Sequence, residues 1–205
     1  YRPSKNNHVN YPLTTVDFDY KLNSSKVGDI IISVYDLEDN LINSYKSSVG
    51  NEEVDDYEMS SNEFTYISSS KISTKAGINR FNWDMRHRGS WSKNTNFSFR
   101  NGPMVKPGKY KVNFNIDGNS YFQDFEILPD PRLSDISRDD YNDQEELLLE
   151  IRDFMTEVRI FDEMVEARIE KKKNNKSLNL VSKELKTQEG TYMRPMLIDQ
   201  IRYLQ

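Results

Sequence analysis

The sequence predicts an antiparallel β-sandwich followed by an α-helical hairpin, because its hydrophobic period changes once along the chain. Up to residue 128, apolar and polar residues alternate in short runs, which is typical of half-buried strands. Beyond residue 137, apolar residues recur every three or four positions, which is typical of helices. Pro129 and Pro131 separate the two regions. We therefore expect an extended lead-in over 1–14, a sandwich over 15–129, a linker over 130–133 and helices over 134–205.

Composition excludes several classes of function. The 205 residues carry a net charge of −5, and the one basic run, residues 171–173, lies at a predicted helix end. A nucleic-acid partner would require a basic face. The chain has no cysteine, so disulfides, thiolate metal sites and cysteine nucleophiles are excluded. No segment reaches the roughly 20 apolar residues of a membrane span, and we expect neither a nucleic-acid partner nor a membrane span.

Alternating apolar residues and turn signals predict the strands. Asp117 and Gly118 favour a tight hairpin turn. Pro107 and Gly108 mark the start of a strand, and Trp83 is expected to face inward. The acidic, Ser-rich segment 47–62 is expected to be a surface insertion. The predicted strands are 16–22, 30–35, 41–45, 63–68, 77–86, 110–116 and 121–128.

The C-terminal region predicts one long helix and two shorter ones. Ser137 with Asp140 is a plausible start for a helix over 138–172. A return helix over 178–185 and a final helix from Pro195 to Leu204 are expected to follow. The chain begins without Met and ends on an apolar helix, so we expect a piece of a longer protein. The long helix carries a seam at a 3.5-residue repeat, formed by Leu147, Ile151, Phe154, Val158, Phe161 and Val165.

The residues carry no recognisable catalytic, cofactor or metal motif. His8 and His87 are the only histidines, without metal-ligand spacing, and His87 is expected on a surface loop. The oxygens of Asp36, Asp39 and Asn40 suit calcium, although a hairpin turn explains these residues more simply. Acidic residues near the start of the long helix, Glu145, Glu146 and Glu150, favour the positive end of the helix dipole.

Aromatic residues in the loop after residue 87 are candidates for binding. Trp91, Phe97 and Phe99 stand among Ser, Asn and Arg. Exposed aromatic rings stack on sugars or anchor a protein partner. The alternative is that they pack over an open end of the sandwich or against a neighbouring domain.

Two strings carry a resemblance to a known family. They are GINRFNWDMR at 77–86 and GPMVKPGKYKV at 102–112, the second running on through Asp117-Gly118 to LPDPR at 128–132. Over about residues 12–172 the chain resembles the region that follows the β-propeller in bacterial BNR-repeat, sortilin-like proteins, often labelled glycosyl hydrolases. It is also similar to the Ig-like domain of flagellar hook-cap proteins. Residues 114–116 and the segment 47–62 depart from the family pattern.

The resemblance implies an Ig-like sandwich in an exported bacterial protein, with a propeller upstream that would hold any hydrolase activity. The leading hypothesis is a non-catalytic structural and interaction module, packing on that propeller or on subunits of an assembly. The alternatives are a carbohydrate-binding module using Trp91, Phe97 and Phe99, and part of a glycosidase. Trp83 is expected to fill the sandwich centre, and Asp84 and Arg86 to pair or to satisfy loop backbone groups. The motif residues are Asn79, Arg80, Phe81, Trp83, Asp84, Arg86, Pro107, Gly108, Tyr110, Asp117, Gly118, Pro131 and Arg132.

Overall fold

The computed structural model describes residues 15–25, 29–47, 68–69, 72–92, 102–171, 175–187, 193–202 and 204. Several predictions fall outside the described residues. They are the lead-in 1–14, most of the acidic insertion, most of the strand near 63–68, and the aromatic residues Phe97 and Phe99.

Among the described residues, seven strands form two sheets. They are β1 (Val16–Leu22), β2 (Ile30–Asp36), β3 (Leu41–Lys46), β4 (Ser68–Ser69), β5 (Gly77–Trp83), β6 (Gly108–Ile116) and β7 (Asn119–Ile127). One sheet pairs β1 with β5, and the other has the order β4-β3-β2-β6-β7. All pairs are antiparallel except β3 with β4. The predicted combination of antiparallel sheets followed by helices is confirmed.

The two sheets share one aromatic core. Trp83 is fully buried, which confirms that it faces inward, and its ring lies 5.9 Å from that of Phe125 on the other sheet. Phe18 of β1 contacts the same Phe125 ring at 5.1 Å. Phe81 lies in this core as well. Aromatic pairs add to the free energy gained by burying apolar area, so these rings hold the two sheets together.

Local turn chemistry sets the β6–β7 hairpin. Asp117 and Gly118 have φ angles of 52° and 80°, and positive φ at both central residues is what a primed two-residue turn requires. The strand before it begins at Gly108, as predicted. The Tyr110 hydroxyl donates a hydrogen bond of 2.6 Å to the Lys106 carbonyl, which fixes the start of β6.

In the part of the C-terminal region that the structure describes, three helices follow the sheets: α1 (Arg138–Lys171), α2 (Lys176–Leu185) and α3 (Leu197–Arg202). The start of α1 is a reciprocal cap, because the Asp140 N–H donates to Ser137 Oγ at 3.1 Å and the Ser137 N–H donates to Asp140 Oδ2 at 2.8 Å. No helix among the described residues combines the length and apolar composition needed to cross a membrane.

The predicted start of the last helix at Pro195 is wrong, because α3 begins two residues later at Leu197. The reason lies in Met196. Its N–H donates to Thr187 Oγ1 at 3.0 Å, while its carbonyl accepts the bond from the Gln200 N–H at 2.9 Å. Met196 therefore ends the preceding loop and caps the helix.

The predicted seam of α1 is only half correct. Val158 and Val165 are buried, but Leu147, Phe154 and Phe161 are 57%, 50% and 45% exposed. The stripe that packs on Leu185 of α2 and Ile201 of α3 is formed by Ile151, Met155 and Val158, and the seam omitted Met155. Asp162 and Val165 are also buried on α1.

The position of α2 explains this shift. Lys186, just after α2, reaches Asp162 at 2.8 Å and Glu166 at 2.7 Å, so α2 runs back along the C-terminal half of α1. A ten-residue helix is about 15 Å long. It therefore covers only part of the face that a 34-residue helix presents.

Candidate functional site

The two strings that carry the family resemblance lie side by side. The His87 N–H donates to the Pro103 carbonyl at 2.8 Å, and the Val105 N–H donates to the Met85 carbonyl at 2.9 Å. Gly102 makes this approach possible, since a Cβ there would lie 1.8 Å from the His87 carbonyl oxygen. Residues 16 to 20 positions apart in the sequence thus form one short ladder.

Arg86 organises the loop around this ladder. Its Nη1 donates to the Gly102 carbonyl at 2.8 Å, and its own carbonyl accepts hydrogen bonds of 3.3 Å from Trp83 Nε1 and Asn43 Nδ2. The prediction that Arg86 satisfies loop backbone groups is confirmed. Burial raises the pKa of Asp84, and the positive charge of Arg86 opposes that rise.

Asn79 and Arg80 face opposite sides of β5. Asn79 is buried, and its Nδ2 donates to the carbonyls of Lys75 at 2.9 Å and Gly77 at 3.1 Å. Arg80 lies on the outer face and binds Asp19 through Nε at 2.7 Å and Nη2 at 2.8 Å. The guanidinium holds the pKa of Asp19 below its ordinary value. Both residues make local structural contacts.

The linker residues Pro131 and Arg132 lie on the surface between β7 and α1. Arg132 forms hydrogen bonds of 2.9 and 2.5 Å with Asp130, and these bonds lower the pKa of that carboxyl to about 2. The two side chains thus bond to each other across the linker, two residues apart.

His87 joins the β region to α1, so the prediction that it lies on a surface loop is wrong. Only 6% of the residue is exposed, and its Nε2 lies 2.9 Å from Glu145 Oε1. The Lys106 N–H donates to the same oxygen at 3.1 Å, and Lys106 Nζ lies 3.2 Å from Oε2. Burial would raise the pKa of Glu145, but the hydrogen bonds from His87 and Lys106 outweigh it and lower the pKa.

Trp91 is held against the same helix. Its backbone N–H donates to Thr156 Oγ1 at 3.0 Å, and its backbone carbonyl accepts from Arg159 Nη1 at 3.0 Å. Arg159 also donates to Ser90 Oγ at 2.9 Å. Trp91 is partly exposed, and the loop–helix junction holds its backbone. Sequence reasoning missed this junction, since no local pattern links His87 to a glutamate 58 residues away.

Two parallel rows of side chains remain exposed along α1. We call Leu147, Phe154 and Phe161 the apolar row, and Asp143, Glu150 and Glu157 the acidic row. Members of each row are seven residues apart, which is about 10.5 Å along a helix. The ion pairs that α1 makes within the described residues involve other positions.

A groove of about 710 Å³ opens between β1 and β7. Tyr121 and Phe122 of β7, both 59% exposed, stand at its rim, and Phe18 and Phe114 lie at its floor. Six of its sixteen lining residues are aromatic, and such rings can stack on a flat apolar ligand surface. Trp91 does not line it.

The described residues hold no group of three or more His, Asp or Glu side chains placed to bind a metal ion. Asp36 instead closes its own hairpin turn, with Oδ1 accepting from the Glu38 N–H at 2.9 Å and the Asn40 N–H at 2.8 Å. No protein-family model, curated protein or solved structure matches this chain. The resemblance to the BNR-repeat proteins therefore stays a prediction.

Proposed function

We propose that this chain is a non-catalytic interaction module whose helix α1 binds a protein partner through the apolar row. The observation that carries the proposal is the exposure of Leu147, Phe154 and Phe161, each about half accessible and evenly spaced. Single exposed apolar residues are ordinary, whereas several large ones on one face of a helix are typical of an interaction surface.

The junction at His87 and Trp91 supports this role. It contacts Glu145, Thr156 and Arg159. These three residues lie on one face of α1, and Phe154 and Phe161 lie on another. At 100° per residue, Arg159 lies about 160° around the helix from Phe161. The β region thus braces one side of α1 and leaves the apolar row accessible on the other.

The finer architecture that we propose is an Ig-like sandwich beside an upstream propeller in an exported protein. The sheets share an aromatic core. In addition, the Tyr110 hydroxyl bonds to the backbone four residues upstream, as a tyrosine corner does in Ig folds. Propeller and export rest on the resemblance of residues 77–86 and 102–132, and the partner would be that propeller or another subunit of the assembly.

Carbene footprinting tests the interaction. The isolated chain and the same chain within its intact parent protein, labelled inside the producing cells, would be compared by mass spectrometry. We expect labelling of Phe154 and Phe161 to fall at least threefold in the cell, because a bound partner excludes the reagent.

Leu180 of α2 is the matched control, since it is 64% exposed and lies outside the apolar row. Its labelling should change little between the two samples. Equal labelling of Phe154 in the isolated chain and in the cell would disprove the interaction role.

A second candidate function, glycan binding, is favoured by the groove between β1 and β7. Tyr121 stands exposed at its rim, where an aromatic ring can stack on a sugar. Isothermal titration with soluble oligosaccharides tests this, with Tyr121→Ala expected to abolish binding and Tyr121→Phe to retain most of it. Absence of binding to every glycan tried would remove this candidate.

A further inference from the structure

We infer that the apolar row of α1 takes one kind of occupant, an amphipathic helix that carries a row of Lys or Arg beside its apolar face. This inference rests on the proposed interaction role, specifies the partner's chemistry, and favours another subunit of the assembly over an all-β propeller. It follows from the position of the acidic row.

Each acid of that row stands one helical turn before an apolar side chain. Asp143 precedes Leu147 by four residues, and Glu150 precedes Phe154 by four. Side chains four residues apart are neighbours on a helix surface. Glu157 repeats the relation to Phe161, so the two rows run side by side for three positions.

The spacing suits a second helix. Both rows advance by seven residues, and such a repeat drifts only about 20° around a straight helix per heptad. A partner helix crossing at about 20° would therefore stay in contact with both rows. Asp143 and Glu157 are 14 residues apart, about 21 Å, so the contact would extend over roughly two heptads.

The row also has a defined end. Seven residues after Glu157 and Phe161 stand Met164 and Arg168, both exposed. The acidic row therefore ends at Glu157, and the partner's basic row would pair with three carboxylates.

Charge selects among possible occupants. Asp143, Glu150 and Glu157 are exposed and carry negative charge beside the apolar row. An anionic membrane surface would be repelled by these carboxylates. A second copy packed antiparallel would bring Glu150 and Glu157 of both chains to the same side of the interface, where like charges repel. A basic amphipathic helix would bury its apolar side chains on the apolar row and pair its Lys or Arg side chains with the acidic row.

A pair of synthetic peptides tests this inference on the full 205-residue chain. Both are three-heptad helices with leucine every seven residues, one with lysine in the flanking row and the other with glutamate. Fluorescence anisotropy should show the lysine peptide binding at least about tenfold more tightly at low salt, since several ion pairs of modest strength act together. The advantage should shrink as salt screens the exposed charges.

Charge reversal on α1 provides the second arm. The double variant Glu150→Lys/Glu157→Lys should prefer the glutamate peptide. The control Glu170→Lys/Glu184→Lys changes net charge equally at exposed positions outside the row, and it should keep the wild-type preference. Circular dichroism checks that each variant is folded. If a variant does not fold, the comparison of the two peptides on the wild-type chain still tests the inference.

Two results would overturn the inference. One is failure of the wild-type chain to prefer the lysine peptide, whether both peptides bind equally or neither binds. The other is a dimer in analytical ultracentrifugation that disappears in Phe154→Ser, which would make a second copy the occupant. Either result would leave the interaction role intact if footprinting still showed Phe154 protected in the parent protein.

Discussion

The β region and the helical region bury their apolar residues in different ways. In the β region, both sheets contribute to one core, and inward side chains such as Trp83 and Phe18 contact a ring from the other sheet. In the helical region, one long helix meets two short ones, and its buried stripe includes a carboxylate, Asp162, while Phe154 stays exposed. The β region thus has one shared core, whereas α2 and α3 cover one side of α1 and leave the apolar row exposed. The β region is therefore expected to be the more stable half.

Trp83→Ala should produce the largest effect. Trp83 is fully buried at the centre of the β core, and truncating a large buried aromatic costs about 3–5 kcal/mol. Urea denaturation followed by tyrosine fluorescence would measure the lost free energy of unfolding. Ile78→Ala on the same strand is the control, since Ile78 is 82% exposed. A loss under 1 kcal/mol for Trp83→Ala would contradict the closed core.

Met155→Ala should produce a smaller loss, although Met155 is also fully buried. The helical core is small, so neighbouring side chains can relax into the space, and we expect about 2 kcal/mol, the low end for such truncations. Helical circular dichroism should report the change while the β core keeps its own transition. If Met155→Ala shifted both transitions by the same amount, the two regions would unfold as one unit.

Glu145→Gln should lower the free energy that holds the junction together by about 2 kcal/mol, which is the usual contribution of hydrogen bonds to a charged group. In the wild-type chain the pKa of Glu145 is lowered on folding. Its contribution is therefore complete above the ordinary pKa of 4.5 and is lost as the pH falls through the lowered folded value. Hydrogen exchange of residues 87–92 between pH 3 and pH 7 would follow this loss.

Glu146→Gln is the control for the junction, since Glu146 is the exposed neighbour. It should leave exchange of the 87–92 segment unchanged at every pH. If Glu145→Gln also left exchange unchanged, the junction would not be what holds α1 to the β region.

Asn175→Ala should cost about 1 kcal/mol, because Asn175 Oδ1 caps α2 by accepting from the Ser177 and Leu178 N–H groups. The loss should appear in helical signal and not in the β transition. Asn179→Ala, at an exposed position within the same helix, should cost nothing measurable. Thermal unfolding followed by circular dichroism separates the two variants.

Phe154→Ala should change stability least, within about 0.5 kcal/mol, despite removing a whole ring. Phe154 is half exposed, and alanine is a strong helix former. Val158→Ala, one turn further along α1, should destabilise more although it removes fewer atoms, because Val158 is buried. The reverse order in chemical denaturation would mean that Phe154 belongs to the helical core.

The sequence alone determined the features that depend on neighbouring residues. Alternation predicted which side chains of β1 and β6 turn inward, and positive-φ chemistry at Asp117 and Gly118 predicted the hairpin. Ser137 and Asp140 predicted the start of α1 to the residue. In each case the interactions span a few positions, so the local sequence contains both partners.

Only the tertiary structure decided features that join distant parts of the chain. Periodicity showed that α1 has an apolar side, but the placement of α2 decided that Met155 is covered and Phe154 is not. The sequence around His87 predicts a surface loop, whereas the fold brings His87 Nε2 within 2.9 Å of Glu145 Oε1, 58 residues away. A residue's burial and its partners depend on what packs over it, and that information lies outside any short stretch of sequence.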